Sequence, residues 1–306
     1  MEIKQNILLK DYTTFKIGGP ADYFAVAQSL SDVQSAIDFA KQKNLPILAL
    51  GGGSNLLISD SGFRGLVIKL DLQKLDINDT ELTVGAGVLV AYLLNKTLEQ
   101  GLTGLEFLAG IPGTVGGALR GNAGTYGLAM SDVVSEITYF DADYQVQVCR
   151  AESCHFAYRH SIFKEIKAII IEAKLNLAKG DIVAARQLVS ERLKYRQDTQ
   201  PKEPSAGCIF KNVEFKGLDL DNLKKRGLDI DQFAKHQKIP TAYIIDKLGL
   251  KGHAIGGVQV SAKHANYLIN QESATAEQVI MMISFIKQQA RDKYGIQLQE
   301  EVQFIS

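Results

Sequence analysis

The chain has no excess of either charge. Its 34 Lys and Arg stand against 34 Asp and Glu, a formal net charge of zero over 306 residues. A balanced chain has no global attraction for nucleic acid or for an anionic membrane surface, so neither partner is expected. No apolar run approaches the roughly 20 residues that cross a bilayer. The opening MEIKQNILLKDYTTF lacks the apolar core and small-residue cleavage site of a secretion signal. Cys149, Cys154 and Cys208 are too few for a disulfide framework. No His/Cys/Asp cluster has ligand spacing, so no metal is expected. These absences predict a cytoplasmic protein and leave its oligomeric state open. The nucleophile signature GxSxG is missing, which argues against a serine hydrolase. The phosphate-loop patterns GxGxxG and GxxxxGK[ST] are missing too, which argues against a Rossmann dehydrogenase.

Glycine is what the sequence does have. Seven glycines lie between Leu105 and Gly127, in LEFLAGIPGTVGGALRGNAGTYG, with Gly104 just before. Glycine loses more backbone entropy on folding than any other residue, so a dense run needs a reason. A flexible linker would be polar and Ser-rich. This run is threaded with Leu108, Ile111, Val115, Ala118 and Leu119, which predicts a folded, partly buried segment. Two readings remain: a structural turn, or a backbone brought close to a large ligand with N–H groups facing phosphate oxygens. A second cluster, Gly51-Gly52-Gly53-Ser54-Asn55, follows the buried strand pattern LPILAL and carries the same pair of readings.

Strand patterns are read at DYFAVAQS, LLIS, GLVIKL, LDIN, ELTVGAG, within 131–150, at 168–178, at HANYLIN, and in an alternating IQLQEEVQFI. Helices are predicted from a Ser31 cap to Asn44, over VLVAYLLNKTLEQ up to Gly101, and over 180–196, with Val183, Leu188, Leu193 and Tyr195 as apolar positions. Two more are read at IPTAYIIDKLGLKGH and from Ser273, with Glu277 beyond it, to Gly295. No regular βαβ rhythm covers the chain, which predicts an α+β fold. The polar, proline-bearing 197–204 is a candidate domain boundary.

Three groups stand out chemically. Arg159, in the YRHS break, reads either as a surface guanidinium or as a bidentate clamp for carboxylate or phosphate. Cys208, after Gly207, reads either as a small core residue or as a thiol presented to a pocket. Glu300 and Glu301 close the last strand pattern, and strict alternation would turn one of them inward. Cys149 and Cys154 read as core or loop residues.

Taken in order, TTFKIGGPAD, GGGSNLL, IPGTVGGALRGNAGTYG, YRHSIF, PSAGCIFKN, LKG with a following GG, HANYLIN and LQEEV resemble the UDP-N-acetylenolpyruvoylglucosamine reductase family over nearly the whole chain. The short link after YRHSIF resembles its type II branch. The resemblance implies an FAD-binding domain of the vanillyl-alcohol-oxidase (PCMH) type in two subdomains, 1–70 and 71–196. A C-terminal α+β substrate-binding domain, 197–306, would follow, its last strand returning to the active site. It implies a flavoprotein oxidoreductase that uses NADPH to reduce UDP-N-acetylglucosamine enolpyruvate to UDP-N-acetylmuramate. That step serves peptidoglycan synthesis, hence cell wall biogenesis, cell shape and cell division.

Carried over residue by residue, Gly51, Gly52, Gly53, Ser54 and Asn55 would line noncovalent FAD. So would Pro112, Gly113, Thr114, Gly116, Gly117, Gly121, Asn122, Ala123 and Gly124. Tyr158, Arg196, Lys211, Asn212 and Lys251 would line the substrate. Arg159 and Glu301 match the family's groups that stabilise the reduced substrate's negative charge, and Glu301 would need a raised pKa to donate a hydrogen bond. Cys208 replaces the family's serine as proton donor. A free thiol, with a reference pKa of about 8.5, is the easier acid. Three further departures stand out. Gln299 precedes Glu300-Glu301 where the family has Glu-Pro-Glu, and Val213 stands where it has proline after FKN. Thr199 replaces a lysine, leaving Arg192, Arg196 or Lys202 to meet the substrate diphosphate. Residues 214–240 look like an insertion: a lid, an oligomer contact or, as favoured, inert surface. A flavin oxidase and a non-catalytic binding protein on the same fold are the competing functions.

Overall fold

The computed structural model describes residues 1–306. By their contacts these residues form two units. The first holds Met1–Ile7, Ala21–Gly53 and Arg64–Asp198, and the second holds Leu8–Pro20, Ser54–Phe63 and Thr199–Ser306. The late division between the units falls at Asp198–Thr199, inside the polar 197–204 segment. The early division differs: 8–20 and 54–63, expected within the first subdomain, belong to the second unit. The reason is visible in that unit's core, where Phe15, Ile17 and Leu57 are buried among Ile209, Phe210, Val258 and Val302.

Elements of the N-terminal two thirds are β1 (Ile3–Leu8), β2 (Pro20–Ala27), α1 (Leu30–Gln42), β3 (Ile47–Leu50), β4 (Leu56–Ile58), β5 (Phe63–Leu70), β6 (Leu75–Asn78) and β7 (Glu81–Gly85). There follow α2 (Val90–Glu99), α3 (Val115–Gly121), β8 (Val134–Phe140), β9 (Val146–Arg150), β10 (Ile169–Asn176) and α4 (Ile182–Thr199). One sheet has the order β1-β2-β5-β3, and the other the order β9-β8-β10-β7-β6. In the first, β3 and β5 run parallel, Ile47 opposite Leu66 and Leu50 opposite Lys69. Parallel strands are covered on both faces; Gly65 through Ile68 are accordingly buried in a row. The second sheet is antiparallel throughout.

Helix starts follow capping chemistry more closely than the apolar pattern alone suggests. Ser29, not Ser31, caps α1, because Asp32 three residues on reaches back to its N–H. Val33, Ala36, Ile37 and Ala40 then face inward at helical spacing. The strand β1 has no sequence signature, since its exposed Lys4, Gln5 and Asn6 hide any alternation. In α4 the residues that face inward are Ala185 and Val189; Val183, Leu188, Leu193 and Tyr195 are exposed, contrary to their reading as the helix's apolar positions.

The remaining elements are β11 (Ser205–Cys208), α5 (Leu220–Lys225), α6 (Thr241–Lys247), β12 (Ala254–Ile255), β13 (Val258–Val260), β14 (Tyr267–Asn270), α7 (Ala276–Tyr294) and β15 (Gln303–Ile305). They form an antiparallel sheet β11-β14-β13-β12 and a parallel pair of β15 with β4. Thr275 with Gln278 closes the cap of α7, displacing Ser273, whose residue three ahead is Ala276 and cannot close a box. Asp60 adds its carboxylate to the Ala276 and Glu277 N–H groups, at 2.9 and 3.2 Å, which ties 54–63 to this unit. Residues 214–240 are not inert surface. Phe215, Leu223, Leu228, Ile230 and Ile239 are buried in the unit's core, and each such burial contributes about 1.5–3 kcal/mol.

Candidate active site

The two glycine clusters meet. Gly51–Gly53 leaves β3 and lies against 113–117 at the start of α3. A Cβ on Gly52 would sit 2.6 Å from the Gly113 Cα, and one on Gly51 would sit 2.6 Å from Thr114 Oγ1. Gly116 is pressed on Ala86 and Gly124 on the Leu128 carbonyl, with Cβ positions 2.8 and 2.3 Å away. At these four positions the chain itself requires glycine. Gly117 and Gly121 differ. Their backbone is ordinary, a Cβ at Gly117 meets nothing nearer than Thr114 Oγ1 at 3.8 Å, and one at Gly121 meets nothing within 4 Å. No protein atom requires glycine there, and the open space would admit close approach of a ligand.

Polar groups around this junction are available. Thr114 caps α3 without bonding back to it, and its Oγ1 is buried with no partner. Gly51, Gly52, Gly53 and Gly117 give no N–H to another backbone group. An orphaned buried hydroxyl is costly in the protein alone. With these N–H groups beside it, it is suited to a phosphate oxygen. Lys69, which the sequence reading passed over, donates to the Gly51 carbonyl. Burial lowers its ammonium pKa, opposed by the charge of Asp71. The sole hint in the sequence was a charge inside the apolar run GLVIKL. The residues present therefore fit a pyrophosphate-bearing cofactor such as FAD.

Other predicted cofactor residues fall differently. Pro112 is exposed. Asn122, in the left-handed conformation that ends α3, directs its amide to Ser131 and to the Ala157 carbonyl at 3.0 Å. Ala123 uses both its backbone groups within the protein, to Ala118 and Met130. These two hold the loop rather than offer polar groups to a ligand. Ser54 and Asn55 belong to the second unit.

Arg159 is held on the same scaffold. Ala157 and His160 exchange N–H···O bonds of 3.1 and 3.0 Å around a two-residue turn, with Arg159 at φ +56°. A non-glycine residue there costs of order 1 kcal/mol or more and marks an over-determined site. Asn122 grips Ala157, Ser161 donates to the Arg120 carbonyl at 2.8 Å, and Lys164 donates to the Arg159 carbonyl at 2.9 Å. The guanidinium lies 5.3 Å from the Tyr158 ring, with Nη1 donating to the Gly124 carbonyl at 2.9 Å. Two further arginines face the glycine stretch from α4. Arg192 stacks 4.4 Å from the Tyr126 ring, with a buried Nη1 that has no partner, and the Arg196 stem packs on Gly110.

In the second unit β11 ends at Cys208, which is half-buried. The carbonyl of the next residue, Ile209, accepts both the Glu301 N–H at 2.7 Å and the Val302 N–H at 3.4 Å. Two residues facing one make a bulge, and bulges re-aim side chains. Here the bulge breaks the expected alternation, so Glu300 and Glu301 are both half-buried. Glu300 pairs with Lys287 at 2.7 Å. Asn55 brackets the bulge: its amide donates to the Glu301 carbonyl at 3.0 Å, and its carbonyl accepts from Gln303 at 2.9 Å. The structure thus hydrogen-bonds Glu301 to the residue that follows Cys208. Lys211 and Asn212 are fastened nearby by Thr241, through the Lys211 carbonyl and Asn212 Oδ1. Lys251 is paired with Asp246 at 2.9 Å.

Known proteins resemble both units. Residues 21–150 match the family model of the FAD binding domain, and 200–305 match that of the UDP-N-acetylenolpyruvoylglucosamine reductase C-terminal domain. The chain is 39% identical to the UDP-N-acetylenolpyruvoylglucosamine reductase of Anoxybacillus flavithermus, over 99% of this chain and 94% of that protein. It is 35% identical to that of Clostridium novyi, over 99% and 92%. The crystal structure of the reductase from Thermus caldophilus superposes with a TM-score of 0.81 at 30% identity, covering both chains fully. The fold is an FAD-binding domain of the PCMH type joined to the reductase C-terminal domain. By these matches the chain belongs to the UDP-N-acetylenolpyruvoylglucosamine reductase family, and it is an FAD-dependent oxidoreductase.

Proposed function

We propose that the protein reduces UDP-N-acetylglucosamine enolpyruvate to UDP-N-acetylmuramate with NADPH, as a cytoplasmic step of peptidoglycan synthesis serving cell wall biogenesis, cell shape and division. The observation that supports the reading is that the Ile209 carbonyl, one residue after Cys208, accepts the Glu301 N–H. Gly51–Gly53 and Pro112–Gly124 would hold FAD noncovalently, and the cofactor would supply the hydride chemistry that links NADPH to the enolpyruvyl group.

This chain's residues handle the charge and the proton that result. Hydride addition leaves negative charge on the carbon beside the substrate carboxylate, delocalised as an enediolate. Arg159, held rigid in its turn, meets that charge with a planar fork that reorganises little. Glu301, protonated, donates a hydrogen bond to the same oxygens. The Cys208 thiol gives its proton to the carbanionic carbon and is reprotonated from solvent. Tyr158, Lys211, Asn212 and Lys251 orient the sugar nucleotide. Arg196 with Arg192 takes the diphosphate in place of the lysine absent at Thr199; their contacts with Gly110 and Tyr126 favour them over the exposed Lys202.

The test is NADPH oxidation dependent on the enolpyruvyl sugar nucleotide, with wild type, Cys208→Ser and Cys208→Ala. Loss of a general acid costs about 10²–10⁴-fold in turnover. The alanine variant should show that loss while retaining its yellow flavin, and serine should recover part of the rate. Full turnover in Cys208→Ala would remove the thiol from the mechanism.

A further inference from the structure

A second sulfur site lies away from Cys208. Cys149, near the end of β9, and Cys154, just past the turn Ala151–Ser153, place their Sγ atoms 3.0 Å apart. Both sulfurs lean on one acceptor, the Arg150 carbonyl, at 3.5 and 3.3 Å. Cys149 is partly exposed and Cys154 is fully buried. A disulfide needs a separation of about 2.05 Å, so roughly 1 Å of closure joins the two. Neither cysteine has a role in the reaction proposed above. Cys154 is also the base of the segment that carries Arg159: its carbonyl accepts the Ile162 N–H at 2.9 Å, closing 154–162 as a loop with the 157–160 turn at its tip.

We propose that Cys149 and Cys154 are an oxidative modification site, a dithiol that a peroxide converts reversibly to a disulfide that shifts the loop presenting Arg159. Burial first, and then the neighbouring Cys149 sulfur, push the Cys154 thiol far above the usual thiol range. Cys149, the accessible sulfur, is therefore the thiol oxidised first and Cys154 the resolving partner. Cys149 takes oxygen from hydrogen peroxide, giving a sulfenic acid and, overall, one water. The Cys154 sulfur then displaces the sulfenic oxygen, which leaves as a second water with the Cys154 proton. Two thiols lose two electrons and two protons, and the peroxide is reduced to two waters. A small thiol reverses the step by exchange.

The sequence supplies a direct readout. Trypsin cuts after Arg150, between the two cysteines, so the peptides ending at Arg150 and at Arg159 stay joined only through the disulfide. The full-length flavoprotein is treated with hydrogen peroxide, blocked with an alkylating agent and mapped without reductant. The joined peptide should appear, vanish with dithiothreitol, and be absent from Cys149→Ser, while Cys208 remains alkylated. In Cys154→Ala, Cys149 has no resolving partner and should be driven on to sulfinic acid. Separate peptides in oxidised wild type, or Cys154 joined to Cys208, would overturn the site. A second arm rests on the reductase reading: oxidised wild type should lose about tenfold in turnover, the scale of a sub-ångström to 1 Å misplacement, with recovery on reduction and no loss in Cys149→Ser. A joined peptide without that loss would overturn the link to Arg159. Inactivity of the untreated protein would instead count against the reductase reading and leave the peptide result standing.

Discussion

The candidate residues of the two units are set in different materials. In the first unit the cofactor cradle is backbone: glycines 51, 52, 113 and 117, an orphaned Thr114 hydroxyl, and an Arg159 turn gripped through carbonyls by Asn122 and Lys164. In the second unit the proposed site is side chain: Cys208, and Glu301 held by the carbonyl of the residue after Cys208 and by one asparagine. Where a backbone-built wall is already packed, as at Gly52, an added atom acts through sterics and nearly all or none. A side-chain-built site keeps its shape when one group changes, so its substitutions act through chemistry and are graded.

The sharpest way to break that contrast is inside the glycine wall. Gly52→Ala drives a Cβ to 2.6 Å from the Gly113 Cα, backbone against backbone. It should yield protein that purifies without flavin, read as absorbance near 450 nm per chain. Gly117→Ala adds a methyl where the protein leaves room, with its nearest neighbour at 3.8 Å. It should fold with unchanged melting of the apoprotein and yet bind FAD at least about tenfold more weakly, about 1.4 kcal/mol. Equal flavin content in wild type and Gly117→Ala would show that the open space is not the cofactor's.

Arg159 crosses the contrast, a side chain proposed to meet the substrate's charge from the backbone-built wall. Arg159→Lys keeps the charge and loses the fork. Removing one well-placed donor at a developing oxyanion costs about 10²–10³-fold in kcat, and KM should change less. A rise in KM alone, with kcat intact, would make Arg159 a ground-state binder of the carboxylate.

The difference in material also explains what the sequence disclosed. The glycine run and GGGSN were legible because glycine is costly and its density needs a cause. Cys208 was legible as a thiol after a turn, and Arg159 as a charge in a broken pattern. Their geometry was not. The bulge at Glu301 depends on one carbonyl shared between two N–H groups, which no local pattern encodes, and alternation misled there. The Ser29 and Thr275 caps could have been found, since each has its reciprocal partner three residues on. Lys69 and the facing pair Cys149 and Cys154 are tertiary facts. So is the membership of 8–20 and 54–63 in the second unit, which a linear division of the chain cannot show.

Asn55 tests the weaker fastening of the side-chain-built site. Asn55→Ala removes the bond to the Glu301 carbonyl but leaves the Asn55 carbonyl to hold Gln303. The expected cost is about 0.5–1.5 kcal/mol of stability, with a severalfold lower kcat as the bulge loosens. Thermal melting and turnover measured on one preparation separate the two effects. An unchanged kcat would mean that the bulge holds Glu301 without help.

The smallest effect concerns acid. His264 packs edge-on against Tyr267, the residue opposite Cys208 in the sheet, and its Nδ1 is buried without a partner. Burial, then the charge of Lys251, holds its pKa below the ordinary value, opposed by a backbone hydrogen bond. In the folded chain the ring therefore stays neutral at a pH where the unfolded chain's histidine takes a proton. Above about pH 6.5 both states are neutral and His264 makes stability no steeper. As pH falls below that value the unfolded state binds more protons, so stability declines by at most about 1.4 kcal/mol per pH unit until the folded pKa is reached. His264→Phe keeps the ring contact and removes the proton. Urea midpoints at pH 7.5 and pH 5 should differ less for this variant than for wild type. Identical gaps in the two proteins would show that His264 takes its proton as readily folded as unfolded, and the packing against Tyr267 would then be the whole of its role.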